Sequence, residues 1–325
     1  MSVDSRLEAV DRETLAPLVR QALGSDAAPV SDWCYERLTG GTVASVYRFR
    51  GPRPNAADWS LILKILRQWA RPGDPDSWRR ELLLYRSGLF DELPEGFGVP
   101  RCLGVAEPSP SEFWLWLEDV EGATGEEMSL DDHGQAARRL GQLQAPYLTG
   151  LPLPVYPWLT TERWLEYGSR HWGAGAIARL RQRVPDGLLR LWAERDRLLD
   201  AFGRLPLTLC HRDFNAGNLF VLDGRVVAID WDCAGVGMIG EDLADLVCEA
   251  LVYFGFDLRR AEGLAETAFA SYVSGLREGG WLGDPALART GFAVGSALAF
   301  SRRTHTLLRA PQPSSLRRLS CPLYP

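Results

Sequence analysis

At 325 residues the chain is longer than one hydrophobic core normally serves, so two lobes are expected. Its 46% hydrophobic and 24% charged residues are those of a soluble globular protein, and a net charge of −6 argues against a dedicated nucleic-acid binder. The polar start lacks the apolar core of a secretory signal, no apolar run approaches the roughly 18 residues of a membrane span, and six scattered cysteines without a CxxC pair indicate reduced thiols, so a cytoplasmic location is expected.

Residues 4–24 carry Leu7, Val10, Leu15, Leu18, Val19 and Ala22 close to helical spacing and predict an amphipathic helix. "WCYERLTGGTVASVYRFRG" follows as two β-rich runs joined through Gly40 and Gly41, and "DWSLILKILRQW" is a third strand carrying Lys64. "RPGDPDSWRRELLLYRSGL" predicts a helix with Asp74 as N-cap, Pro75 at its first position and Gly88 at its end. "VPRCLGVAE" and "FWLWLEDV" complete an antiparallel sheet, so residues 25–118 form an α+β lobe. Helical periodicity then dominates. "SLDDHGQAARRLGQLQA" has Ser129 as N-cap and Asp131 and Asp132 in its first turn, and further helices are expected over 186–202, 241–254, 259–278 and 285–303. Two short strands, "NLFVL" and "RVVAID", bracket Asp223-Gly224, a two-residue hairpin signal. The Pro-rich stretch 310–325 reads as a loosely held tail.

Of the 36 basic residues only Lys64 is a lysine. Arginine does not replace lysine where a compact ammonium must meet a phosphate or a buried carboxylate. "CHRDFNAGNLF" sets His211, Arg212, Asp213 and Asn218 in the spacing H-R-D-x-x-x-x-N of phosphoryl-transfer loops. In such a loop the aspartate accepts the proton of the acceptor hydroxyl and the asparagine turns its amide oxygen to magnesium. Asp230, twelve residues on, ends the apolar strand "VVAI", where a carboxylate suits the metal that bridges the phosphates. Glu81, on the helix after Lys64, can pair with it and hold the ammonium toward the α- and β-phosphates. The Gly40-Gly41 turn lets backbone lie close over phosphates.

In this chain order, these residues resemble the aminoglycoside phosphotransferase family, the small-molecule branch of the protein-kinase-like fold. The resemblance is most specific in "HRDFNAGNLF" and "VVAIDWDCAGVGMIGEDLADLV". It implies an α+β bilobal fold: a small N-terminal antiparallel-sheet lobe that binds nucleotide, over 1–118, and a larger, mainly helical lobe for catalysis and substrate, over 119–309. It implies ATP with Mg2+ as donor and a small-molecule acceptor bearing a hydroxyl, such as an aminoglycoside, sugar or amino-alcohol. Asp213 would be the base, Asn218 and Asp230 the metal ligands, and Lys64 with Glu81 the phosphate contacts. "LEDV", 117–120, matches the hinge, where backbone groups near Glu118 and Val120 would meet the adenine. His211 and Asp242 would brace the loop. No nucleic-acid or membrane partner is expected.

The chain departs from the pattern in places. The glycine turn lacks the G-x-G-x-x-G of protein kinases, Arg212 stands where the family often has a small residue, and Asn215 stands where protein kinases usually place a lysine. Asp230 is followed by Glu241 after eleven residues, with no room for a long activation segment, which argues against a protein serine/threonine kinase. A non-catalytic nucleotide-binding regulator is the other alternative, and the intact Lys, Glu, Asp, Asn and Asp set speaks against it. Asp232 is either a further metal ligand or a loop-capping carboxylate. The aromatics Trp158, Trp164, Tyr167 and Trp172 fall where the family inserts substrate-recognition helices, while the acidic run over 117–132 reads first as a solvated loop and helix start. His133, His171 and His305 share no ligand spacing and are expected on the surface or in helices.

Overall fold

The computed structural model describes Leu7 and residues 10–24, 30–38, 44–53, 57–69, 74–160 and 186–309. It divides into two compact units, Met1–Tyr85 with Pro100–Val120, and Arg86–Val99 with Glu121–Pro325.

The first unit is built on a five-stranded antiparallel sheet, ordered β1 (Cys34–Arg37), β2 (Ser45–Gly51), β3 (Trp59–Arg67), β6 (Glu112–Glu118) and β5 (Cys102–Ser109). Side chains alternate across a strand, and here both faces are covered. Leu61, Leu63 and Ile65 of β3, with Trp114 and Trp116 of β6, pack under helix α1 (Arg12–Leu23) through Leu15, Leu18 and Val19. The opposite register, Leu66 with Phe113, Leu115 and Leu117, meets Trp78 and Leu82 at helix α2 (Arg80–Ser87). Lys64 belongs to this second register, so the strand's own periodicity aims it at the α2 side.

Two helix starts differ from expectation. The helix expected over 4–24 is interrupted: Leu7 is helical, and a helix starts afresh at Arg12, because Asp11 adopts extended backbone and accepts the Thr14 N–H at 2.9 Å; residues 4–6, 8 and 9 lie outside the described residues. Asp74 does not cap the next helix: its carboxylate is taken by Arg80, and the chain enters α2 through a 3-10 turn at Ser77–Arg79. Gly88 does end α2, at φ 79.

In the second unit, α3 (Leu130–Leu148) starts at Ser129, the N-cap the sequence predicts, and Asp132 closes a capping box with it. It packs along α7 (Ala261–Glu278), with Gly141 and Gly275 at the crossing. The helix expected over 186–202 is two, α4 (Asp186–Ala193) and α5 (Arg195–Phe202), interrupted at Glu194. Helices α6 (Glu241–Val252) and α8 (Pro285–Arg309) fall where periodicity placed them. The hairpin of β8 (Leu219–Leu222) and β9 (Arg225–Ala228) turns at Asp223 and Gly224, both at positive φ. β9 also pairs, in parallel, with β4 (Phe97–Gly98). A further antiparallel pair, β7 (Leu207–Cys210) with β10 (Gly235–Met238), flanks the hairpin in sequence. Among the described residues, no helix is long and apolar enough to cross a membrane, and the five cysteines form no disulfide.

Candidate active site

The first unit holds Lys64 and Glu81 as a buried pair. Lys64 lies opposite Leu115 of β6 and Val46 of β2, at the centre of the sheet. Its Nζ is 2.5 Å from the Glu81 Oε2 in the first turn of α2. Lys64 is 8% and Glu81 2% exposed. In such surroundings an ammonium survives charged only beside its counter-ion. At the end of β6, Glu118 and Val120 are half-buried. The Glu118 N–H donates to the Arg101 carbonyl at 3.0 Å and its carboxylate faces Arg101. Between them Asp119 accepts from Arg48 Nε at 2.7 Å and from the Ser60 hydroxyl, which pins this segment to β2 and β3. Gly40 and Gly41 lie outside the described residues.

The second unit holds the loop between β7 and β8. His211 is fully buried. Its Nδ1 accepts the Asp213 N–H at 3.3 Å, so the ring proton is on Nε2, which donates to the Ile229 carbonyl at 2.9 Å. Trp231 packs on the same ring at 4.4 Å between centroids. The Asp213 carboxylate is fixed by two amides: Asn215 donates to Oδ1 at 3.0 Å and Asn218 to Oδ2 at 2.8 Å. Since the Asn218 nitrogen faces Asp213, the planar amide turns its oxygen the other way. Leu219 pairs with Ala228, and the Ile229 N–H donates to the Asn218 carbonyl at 2.9 Å. Asn218 thus stands opposite Ile229, and the next residue, Asp230, leaves β9 at φ 63. Asp232 sits half-buried in the turn that follows.

Behind the loop, Asp242 accepts the N–H groups of His211 at 2.9 Å and Arg212 at 2.8 Å, and the Gln144 amide at 3.2 Å. Gln144 in turn accepts the Tyr272 hydroxyl at 2.5 Å. Burial, reinforced by the Glu241 charge, pushes Asp242 up to about 7 against the pull of its backbone donors.

An oxygen pair from one asparagine and one aspartate suits Mg2+, which keeps waters and phosphate oxygens in its shell rather than taking an all-protein cage. Among the described residues no three His, Cys, Asp or Glu side chains gather as a metal group.

Sequence reasoning brought together His211, Asp213, Asn218, Asp230 and Asp242, and separately Lys64 with Glu81. It missed the supports: Asn215, Gln144, Tyr272 and the Asp119–Arg48–Ser60 cluster. Only Asn215 had a local signal, as an Asx residue whose oxygen caps Gly217 N–H at 3.0 Å. Much of the acidic run is structurally engaged, Asp119 and Glu118 as above and Asp132 in the capping box. His133 lies in α3 and is buried rather than on the surface. Trp158 stacks on Tyr156 at 4.7 Å, whereas Trp164, Tyr167, Trp172 and His171 lie outside the described residues.

The model of the phosphotransferase enzyme family matches residues 35–282. No curated protein sequence matches the chain. Among solved structures, an amicoumacin kinase is similar at TM-score 0.56 and 15% identity, over 96% of this chain and 92% of that one. A choline kinase from Cryptosporidium parvum Iowa II gives 0.56 at 14% identity, over 92% and 95%. A microcompartment-associated aminopropanol kinase gives 0.53 at 21% identity, over 91% and 90%. The fold is thus that of protein-kinase-like small-molecule kinases, with the antiparallel sheet in the N-terminal part and a mainly helical remainder.

Proposed function

The chain belongs to the phosphotransferase enzyme family, and from that premise we propose that it transfers the γ-phosphoryl group of Mg·ATP to a hydroxyl of a small molecule. The observation that carries this reading is the Asp213 carboxylate held at 2.8 Å by Asn218, whose carbonyl accepts the Ile229 N–H one residue before Asp230. It supports assigning the base to this loop and the two metal ligands, Asn218 and Asp230, to the two ends of the hairpin that follows. The amicoumacin kinase of similar fold was solved with AMP-PNP and Ca2+, a nucleotide and a divalent cation that the proposal carries over to this chain.

In this reading Asp213 orients the acceptor hydroxyl and takes its proton as the phosphoryl group passes. Lys64 holds the α- and β-phosphates, and Glu81 keeps its ammonium in place. The phosphate contact expected of Gly40-Gly41 falls outside the described residues, and backbone groups near Glu118 and Val120 would receive the adenine. The Asn218 amide oxygen and the Asp230 carboxylate hold magnesium, which when bound offsets phosphate charge. Positioning and electrostatics supply the rate, with no covalent intermediate on the protein.

Calorimetry of Mg·ATP binding to the wild type and to Asp230→Ala tests the reading. Magnesium-dependent binding that is lost in the variant is expected, followed by ADP release with one member of a panel of amino-alcohols, sugars and aminoglycosides. A folded wild type that binds no Mg·ATP overturns the kinase reading.

A further inference from the structure

Arg212 concentrates two costs in one residue. Its backbone lies at φ 65, the left-handed region that favours glycine. It is also only 2% exposed, although arginine is among the side chains least often buried. Asp242 holds the backbone there through the Arg212 N–H at 2.8 Å. The side chain then ties together three separate stretches of the second unit. It lies 3.5 Å from the Glu241 carboxylate at the start of α6, donates to the Val236 carbonyl of β10 at 2.6 Å, and reaches the Thr160 carbonyl at 3.4 Å.

β10 is shaped around this arrangement. A methyl group at Gly237 would strike the Glu241 carboxylate and the Cys210 side chain, and one at Gly235 would strike the Thr160 carbonyl. Thr160 pairs with Gly235 in a parallel bridge. Glu241 also accepts the Met238 N–H at 3.0 Å. One peptide bond beyond Arg212 is Asp213.

We propose that Arg212 is a positioning residue for phosphoryl transfer: a buried clamp that fixes the backbone from which Asp213 projects and joins it to β10 and Thr160. The inference rests on Asp213 being the base. A buried ion pair is a poor source of net stability compared with apolar groups of the same volume. Keeping one on a strained backbone beside the reacting carboxylate is therefore explained by placement rather than by stability.

The double variant Arg212→Met/Glu241→Gln removes the charges, keeps the volume and retains an acceptor for Met238. Melting temperature, Mg·ATP affinity by calorimetry and the kcat of ADP release with the acceptor found by the panel are compared with wild type. Melting within a few degrees and affinity within about twofold are expected, with kcat down about 100-fold, the cost typical of a displaced catalytic group. Arg212→Lys should recover part of that kcat, since its ammonium can still meet Glu241 or a carbonyl. A folded double variant with wild-type kcat overturns the proposal. If the double variant does not fold, Arg212→Gly relaxes the backbone while removing the clamp, and the same kcat comparison decides. A wild type without phosphoryl transfer sinks the kinase reading and the clamp with it, whereas wild-type transfer with undiminished variant transfer sinks the clamp alone.

Discussion

The Asp213 carboxylate is held directly by two neutral amides, those of Asn215 and Asn218. Asp213→Ala should lower turnover by about 10²–10⁴-fold while Mg·ATP still binds, as measured by initial rates beside calorimetry. Retained turnover would take the base role from Asp213. His133 gives a pH prediction. Burial depresses it below its usual 6.5, against the opposing pull of the Ser129 carbonyl and Asp132. The unfolded chain therefore takes up a proton that the fold rejects. Its contribution to stability is complete above about 6.5 and is lost as pH falls toward the lowered folded value. Melting curves from neutral pH down to 5 should show a shallower decline for His133→Phe than for the wild type. At this scale the sequence was legible where partners are neighbours in the chain, as with His211, Asp213 and Asn218. Gln144 meets Tyr272 across 128 residues, and no local pattern announces such a contact.

Among the elements, β3 shows how much periodicity alone can place. Its alternation sends Leu61, Leu63 and Ile65 under α1 and leaves Lys64 in the register that faces Glu81. The contact between α3 and α7 depends instead on an absence of side chain. A methyl group at Gly275 would run into the Arg138 carbonyl, and one at Gly141 into the Tyr272 carbonyl. Gly275→Ala should therefore force the helices apart and cost about 1–3 kcal/mol, read as a lower urea midpoint. An unchanged midpoint would show that the crossing can adjust. The elements that sequence reasoning missed, β7 and β10, are short. "GVGM" in particular has alternate glycines, which weaken any strand signal. Those glycines leave room for Thr160 and Glu241 against that backbone, a requirement invisible before the fold exists.

For the molecule as a whole, the motif order along the chain was enough to reach the fold, because each motif is local and the resemblance supplied the connection among them. The parallel pairing of β4 with β9 was not, since it joins Phe97 to Val226 across the intervening β5 and β6 of the first unit. If both nucleotide and metal act as proposed, ligand binding should stabilise the fold by mass action. At a hundredfold excess over its Kd, Mg·ADP should add about 2.7 kcal/mol, seen as a higher melting temperature that disappears in Asp230→Ala. An equal shift in that variant would move the metal role elsewhere. One consequence concerns chemistry done to the protein rather than by it. The sequence contains a single lysine, and that ε-amine is the buried partner of Glu81. Acetylation, ubiquitin attachment or an amine-directed acylating probe thus has one side-chain address in these 325 residues. Any such mark cancels the ammonium on which the proposed phosphate contact depends, so labelling of this one peptide, and its protection by nucleotide, would report occupancy without a background of competing lysines.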